Sequence, residues 1–190
     1  MNPTLARERL FHVYYRSNDR KTIFREDDNY RFFLQKMKKQ LRTAARLLGY
    51  CIMPNHFHLM LVPIHDLRDK IVLNGDYFKF MPTEELSEAN RRWLMGFTKS
   101  YHRYFGGSGS LWRPHGWSKH HQGSLIPGLN YLHQNPEQAN LVQSAGEWEF
   151  SSYNEHTLGF PSEECYCDTE LTKAILALEG KTIHDLILSG

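Results

Sequence analysis

Two histidines, His56 and His58, stand two residues apart in the stretch Tyr50-Cys51-Ile52-Met53-Pro54-Asn55-His56-Phe57-His58-Leu59-Met60-Leu61-Val62. The apolar runs on either side of Pro54-Asn55 predict two strands joined by a turn. Side chains at i and i+2 of a strand share a face, so both imidazoles should project together from an otherwise apolar sheet. Two parallel imidazoles at a strand start can present a divalent cation. Two readings are open. Backbone carbonyls could satisfy both rings; a metal ion accounts for the pair more directly, because each buried imidazole left unpaired costs on the order of 1–3 kcal/mol. Cysteines for a closed structural zinc site are lacking, and an imidazole pair completed by oxygen ligands leaves positions for substrate.

A second group is Tyr131-Leu132-His133-Gln134-Asn135-Pro136. One helical turn separates 131 from 135, so a phenol and a carboxamide point the same way. The plain reading is a packed tyrosine with a hydrogen-bonded hydroxyl, and an asparagine that caps a further turn opening at Pro136 with Gln138. The chemical reading is a nucleophilic phenol beside a ligating amide. Between the two groups, His102, Arg103, Trp112, Arg113, His115, Trp117, Lys119, His120 and His121 interleave basic, aromatic and imidazole side chains. That composition suits phosphate contact and base stacking, or simply a polar loop with packed tryptophans.

These residues need elements to position them. Leu10 to Arg16 is a β-rich run ending at Ser17-Asn18-Asp19. Tyr30, Phe33, Leu34, Met37, Leu41, Ala44 or Ala45, and Leu48 recur at threes and fours, which predicts a helix ending at Gly49. Its other face holds Arg31, Lys36, Lys38, Lys39, Arg42 and Arg46, a solvated stripe or a DNA contact. Residues 66 to 81 are irregular, with a short strand or turn around Asn74-Gly75. Thr83 reads as an N-cap, with Glu84 and Glu85 in the first turn of a helix whose apolar face is Leu86, Ala89, Trp93, Leu94, Phe97, Tyr101 and Tyr104. The glycine-rich loop 106 to 110 lacks the preceding strand and the following Lys-Ser/Thr of a phosphate cradle. Leu111-Trp112-Arg113 suits a short strand. A third helix should start near Pro127 and stop at Asn135, before Pro136. Residues 136 to 142 could add one further turn, 147 to 153 a short packed segment, and Thr169 to Leu178 a last helix. The order β-α-β-β-α-β-α predicts an α+β fold, with helices packed on an antiparallel sheet of about four to five strands.

Composition agrees with this class. Among 190 residues, 41% are hydrophobic and 23% charged, the balance of a soluble globular chain. No apolar run approaches the roughly 18 residues that a membrane span needs, and the N-terminus lacks a signal-peptide core. Three cysteines, Cys51, Cys165 and Cys167, make no disulfide framework, which fits a cytoplasmic location. Net charge is only +2, so overall charge does not announce a nucleic-acid ligand. The simplest division is a main domain over 1–160 with a helical tail, 161–190, packed on it or extending from it.

Together, Met53-Pro54-Asn55-His56-Phe57-His58 and Tyr131-x-His133-x-Asn135-Pro136, with Ala139 and Leu141-Val142, resemble the single-tyrosine HUH transposases, most of all the REP-associated branch. Phe11-His12-Val13 through Arg16-Ser17-Asn18, Ile23-Phe24-Arg25, Gly109-Ser110-Leu111-Trp112 and Trp148-Glu149-Phe150-Ser151-Ser152-Tyr153 follow that family's landmarks in order. The resemblance covers roughly residues 10 to 155 and departs at 66–81 and after Phe160. It implies a ferredoxin-like HUH fold and a DNA strand transferase that cuts and rejoins single-stranded, often hairpin-forming DNA. By the same resemblance His56, His58 and Asn135 would hold Mg²⁺ or Mn²⁺. Tyr131 would be the nucleophile, forming a 5′-phosphotyrosine with help from the ion and from His133. Arg16, Asn18, Arg103, Arg113, His115 and Lys119 are the DNA-contact candidates by charge and placement. Relatives work as monomers or as homodimers, and the resemblance leaves both open. Two other classes compete: a metal-dependent phosphodiester hydrolase, and a DNA-hairpin-binding protein without catalysis.

Overall fold

The computed structural model describes residues 1–64, 77–78, 83–114, 116–161 and 163–188, with the backbone alone at 77, 78 and 117. Five strands, β1 (Phe11–Arg16), β2 (Ala45–Met53), β3 (His56–Pro63), β4 (Tyr77–Phe78) and β5 (Trp117–His120), form one sheet in the order β2-β3-β1-β5-β4. Every pairing is antiparallel. The helices are α1 (Pro3–Glu8), α2 (Asp27–Leu41), α3 (Glu84–Phe105), α4 (Leu125–Gln138), α5 (Tyr153–Thr157), α6 (Thr169–Leu178) and α7 (Ile183–Leu188). This is the expected α+β class.

Alternation along the strands builds two cores. Phe11 and Val13 of β1, Ile52 of β2, and Phe57, Leu59 and Leu61 of β3 face α2 and α3, and pack with Phe33, Met37, Trp93 and Phe97. Cys51, Met53, Met60 and Val62 face the other way, toward Leu125, Leu129 and Leu132 of α4 and Leu171 and Ile175 of α6. Helices therefore cover both faces of the β2–β3 hairpin, which explains why its strands read as near-continuous apolar runs. The segment Phe150–Ser152 lies along the outer edge of β2, where Ile52 N donates to Phe150 O (2.9 Å) and Ser152 N to Tyr50 O (2.9 Å).

Local chemistry explains most helix ends. The Thr83 hydroxyl accepts from Leu86 N at 3.1 Å, as its position before two glutamates suggested. Glu26 and Asn29 close a reciprocal box at the start of α2. Helix α6 spans the residues expected of it. Tyr104 departs from the expected apolar stripe of α3 and is exposed, while Phe105 beside it packs against the core.

Three expectations are corrected. Helix α2 stops at Leu41 rather than Leu48, and residues 45–48 begin β2. Both faces of that strand are covered, so its apolar residues fell into helical spacing by coincidence. Gly49 is no helix end: it sits at an irregularity in the β2–β3 pairing, where α4 crosses closely. A Cβ there would lie 2.5 Å from Leu129 Cδ2. Helix α4 opens at Leu125 and runs through Pro136 to Gln138. Proline there removes one amide donor near the helix end, and the turn is closed beyond it by Ala139 N to Asn135 O (3.0 Å) and Leu141 N to Pro136 O (2.9 Å). Leu111–Arg113 is extended but only bridges the end of β1, through Ser17 and Trp112, while the strand itself is β5. Helices α1, α5 and α7 had no counterpart in the sequence reading. The turn expected at Asn74-Gly75 lies outside the described residues, and of that region β4 is described. No helix among the described residues is long and apolar enough to cross a membrane.

The close approach at Gly49 has a direct test. Gly49→Ala should destabilise the chain by about 1–3 kcal/mol through overpacking, read as a lower urea midpoint. The same substitution in a Leu129→Ala background should cost much less, since the clashing methyl is gone.

Candidate active site

The register of β1 against β3 assembles the site. Tyr14 lies opposite His58, Arg16 opposite His56, and His12 opposite Met60. Residues 12, 14, 16, 56 and 58 therefore share the sheet face on which α4 packs. Three imidazoles meet there. His12 Nε2 and His58 Nδ1 are 2.9 Å apart, with ring centroids at 5.1 Å. His56 stands nearly perpendicular to His58, centroids 5.2 Å apart. His56 Nδ1 lies 2.6 Å from Asn55 Oδ1, and Asn55 Nδ2 donates to the Arg20 carbonyl at 3.1 Å. The Tyr14 ring packs 4.8 Å from His58 and 5.7 Å from His56.

Helix α4 lays Tyr131 over this cluster. Its ring is 5.4 Å from His58 and 5.6 Å from His12, edge-on to both, yet the residue is 47% exposed. The phenol is thus in reach of both imidazoles and of an incoming molecule. One turn on, the Asn135 amide nitrogen donates to the Tyr131 carbonyl. Tyr131 and Asn135 share a face of α4, as the i, i+4 spacing required.

Electrostatics keep the rings neutral. Burial pushes His58 down to about 2, helped by its neighbours His12 and His56. Burial also lowers His56 to about 4, with Arg16 adding to the effect, and His12 to about 4, with His121 and Lys119 adding. Neutral imidazoles keep a lone pair on one ring nitrogen, which a metal ligand or hydrogen-bond acceptor needs. The Tyr131 phenol is raised, first by burial and then by Tyr14. It needs positive charge nearby to become a good nucleophile.

The site residues named from sequence divide into those brought together and those that are not. His56, His58 and Tyr131 converge, with Asn135 on the same helix face as Tyr131. Arg16 joins them from the end of β1, its Nε buried without a hydrogen-bond partner. Lys119 of β5 lies opposite His12, and the Arg113 backbone bonds Arg16 O at 2.9 Å. The Asn18 amide is taken up by Ser110 O at 2.6 Å, so it ties down the glycine-rich loop. Arg103 lies apart from them: it belongs to α3, which packs on the opposite face of the sheet, and lines a groove with Phe32, Tyr104 and Phe105. His115 lies outside the described residues. His133 also lies apart from the cluster, because two helical positions rotate a side chain about 200° away from Tyr131. It is buried, with Nε2 2.8 Å from Ser152 Oγ and its ring 5.8 Å from His156. His12, Tyr14 and Asn55 were given no role from sequence. His12 and Tyr14 repeat the i, i+2 spacing of the histidine pair, but that signal has meaning only once the strand pairing is known.

No family model matches the chain, and no curated protein does. Among solved structures, that of a REP-associated tyrosine transposase bound to a REP hairpin superposes with a TM-score of 0.57. The match covers 82% of this chain and 84% of that one, at 16% sequence identity. At that identity the likeness is one of fold.

Acid probes the histidines directly. His156 is pushed down to about 4 by burial, and His133 well below its ordinary value for the same reason. An unfolded imidazole titrates near 6.5, so between that pH and about 4 the unfolded chain binds more protons than the folded one. Stability should be whole above about pH 6.5 and fall as the pH drops toward 4. His156→Gln should flatten this decline, by up to about 1.4 kcal/mol per pH unit, in urea unfolding followed at several pH values. An equal slope in both proteins would contradict the assignment.

Proposed function

We propose that this chain is a single-tyrosine, HUH-type DNA strand transferase that cuts and rejoins single-stranded, hairpin-forming DNA. The observation that carries this reading is the half-exposed Tyr131 phenol, 5.4 Å ring to ring from the imidazole of His58 on the sheet face shared with His56. The fold shared with a hairpin-bound tyrosine transposase supports the same reading.

The donor set fits a hard divalent ion, Mg²⁺ or Mn²⁺. Both Nδ1 atoms of the histidine pair are engaged, His56 with Asn55 and His58 with His12, which leaves the Nε2 atoms for a ligand. Asn135 spends its amide nitrogen on the Tyr131 carbonyl, so its Oδ1 is the atom suited to a cation. Among the described residues no three His, Cys, Asp or Glu side chains form a self-sufficient metal group. An ion held by His56, His58 and Asn135 would therefore complete its coordination with phosphate oxygens and water. When bound, it would polarise the scissile phosphate and stabilise charge on the leaving oxygen.

The chain's own residues do the rest. Tyr131 Oη loses its proton to water and attacks phosphorus; the P–O3′ bond breaks and the 3′-oxygen takes up a proton. The products are a 5′-phosphotyrosine and a free 3′-hydroxyl. Bond energy is conserved, so another 3′-hydroxyl can reverse the step without a nucleotide cofactor. Arg16 beside His56 and Lys119 beside His12 supply positive charge that a phosphate backbone requires. His133 holds α4 against Ser152 and thereby holds Tyr131 over the site.

The test uses single-stranded oligonucleotides carrying the DNA that flanks the gene, incubated with Mn²⁺ and run on a denaturing gel. A covalent protein–DNA band sensitive to EDTA and absent in Tyr131→Phe is expected. Strand cleavage that survives Tyr131→Phe would make the chain a hydrolase; tight binding with no band would make it a hairpin-binding protein.

A further inference from the structure

We infer that Asn55 is a positioning residue that locks His56 in its Nδ1–H tautomer and so aims Nε2 into the site, with His12 holding His58 by the same atom. The consequence for a bound cation rests on the metal-ion reading above; the lock itself does not.

The argument is one of donors and acceptors. The Arg20 carbonyl can only accept, so the atom of the Asn55 side chain that faces it at 3.1 Å must be the NH₂ group. The carboxamide oxygen then faces His56 Nδ1 at 2.6 Å, and an oxygen acceptor requires that Nδ1 carry the proton. The lone pair of the neutral ring is left on Nε2. In water a free histidine side chain is not held in this form, so the protein imposes it. The lock is built into the backbone around it. Asp19 (φ 54°) and Arg20 (φ 56°) are successive left-handed residues that turn the chain back over the Pro54-Asn55 turn. The turn is clamped from the same segment: Ser17 N donates to Asn55 O at 2.8 Å, and Ile23 N and Phe24 N donate to Pro54 O at 2.8 and 3.1 Å. His58 Nδ1 also has a partner, His12 Nε2 at 2.9 Å, a contact in which either ring can be the donor. Both rings of the pair are thus gripped by one nitrogen and present the other, the arrangement by which outer partners orient metal-bound histidines.

Long-range ¹H–¹⁵N correlation spectra of the metal-free protein at neutral pH read the tautomer directly, with His56 assigned by its loss in His56→Gln. The Nδ1–H pattern is expected in the wild type, and a shift to Nε2–H or a mixture in Asn55→Leu. Asn55→Asp keeps an acceptor and should retain the wild-type pattern, which also covers the case in which the leucine variant does not fold. Mn²⁺ titration by calorimetry should then show affinity weakened roughly 10- to 100-fold in Asn55→Leu and less in Asn55→Asp. An Nε2–H pattern in the wild type, or a pattern unmoved by Asn55→Leu, would overturn the inference. A wild type with the Nδ1–H pattern that takes up no Mn²⁺ would uphold the lock and sink the metal reading instead.

Discussion

The antiparallel register between β1 and β3 is the constraint on which the site depends. Tyr14 opposite His58 and Arg16 opposite His56 put a phenol, a guanidinium and the imidazoles on one face of the sheet. A slip of one residue would turn the whole β1 set to the other face, into the aromatic core around Phe33, Trp93 and Phe97. That core opposes the slip, because Phe11 and Val13 would have to leave it. Hydrophobic burial on one side of the sheet thus holds the polar chemistry on the other side in place.

The polar face carries its own cost. Three imidazoles lie in contact in a largely dry setting and must stay neutral to do so. One nitrogen of each ring in the pair is matched by a specific partner: a carboxamide for His56, an imidazole for His58. The partners are positioned by segments with no other evident chemistry, such as the left-handed turn at Asp19-Arg20. Fold stability and site geometry are here the same set of hydrogen bonds, so the site is preorganised before any ligand arrives.

Helix α4 shows how one element serves two layers. Leu125, Leu129, Leu132 and His133 face inward and fix the helix, through apolar packing and the His133–Ser152 contact, while Tyr131 packs edge-on to the His12 and His58 rings. The helix can lie this close because Gly49 has no side chain to hold it away. Pro136 is tolerated near the helix end, where it removes only one backbone donor. A tail helix, α6, seals the same layer through its packing with α1 and β2, and Asp168 N donates to Leu47 O at 2.7 Å.

Much of this was legible in the chain alone. Period-two spacing put His56 and His58 on one face, period-3.6 spacing put Tyr131 and Asn135 on another, and Thr83 marked the start of α3, because these features depend only on local backbone geometry. The α+β class followed from the order of such segments. What no local pattern could decide was which elements would meet. The end of α2 was misread because a strand covered on both faces carries apolar residues at every spacing, helical ones included. The inward placement of His133 was not legible because a motif does not say which face of its helix is buried. His12, Tyr14 and Asn55 stayed silent because their partners lie across strand pairings and turns. Residue type and spacing determined what chemistry each segment could offer; long-range packing decided which offers met, since contact between segments far apart in sequence is set by the burial of the whole chain.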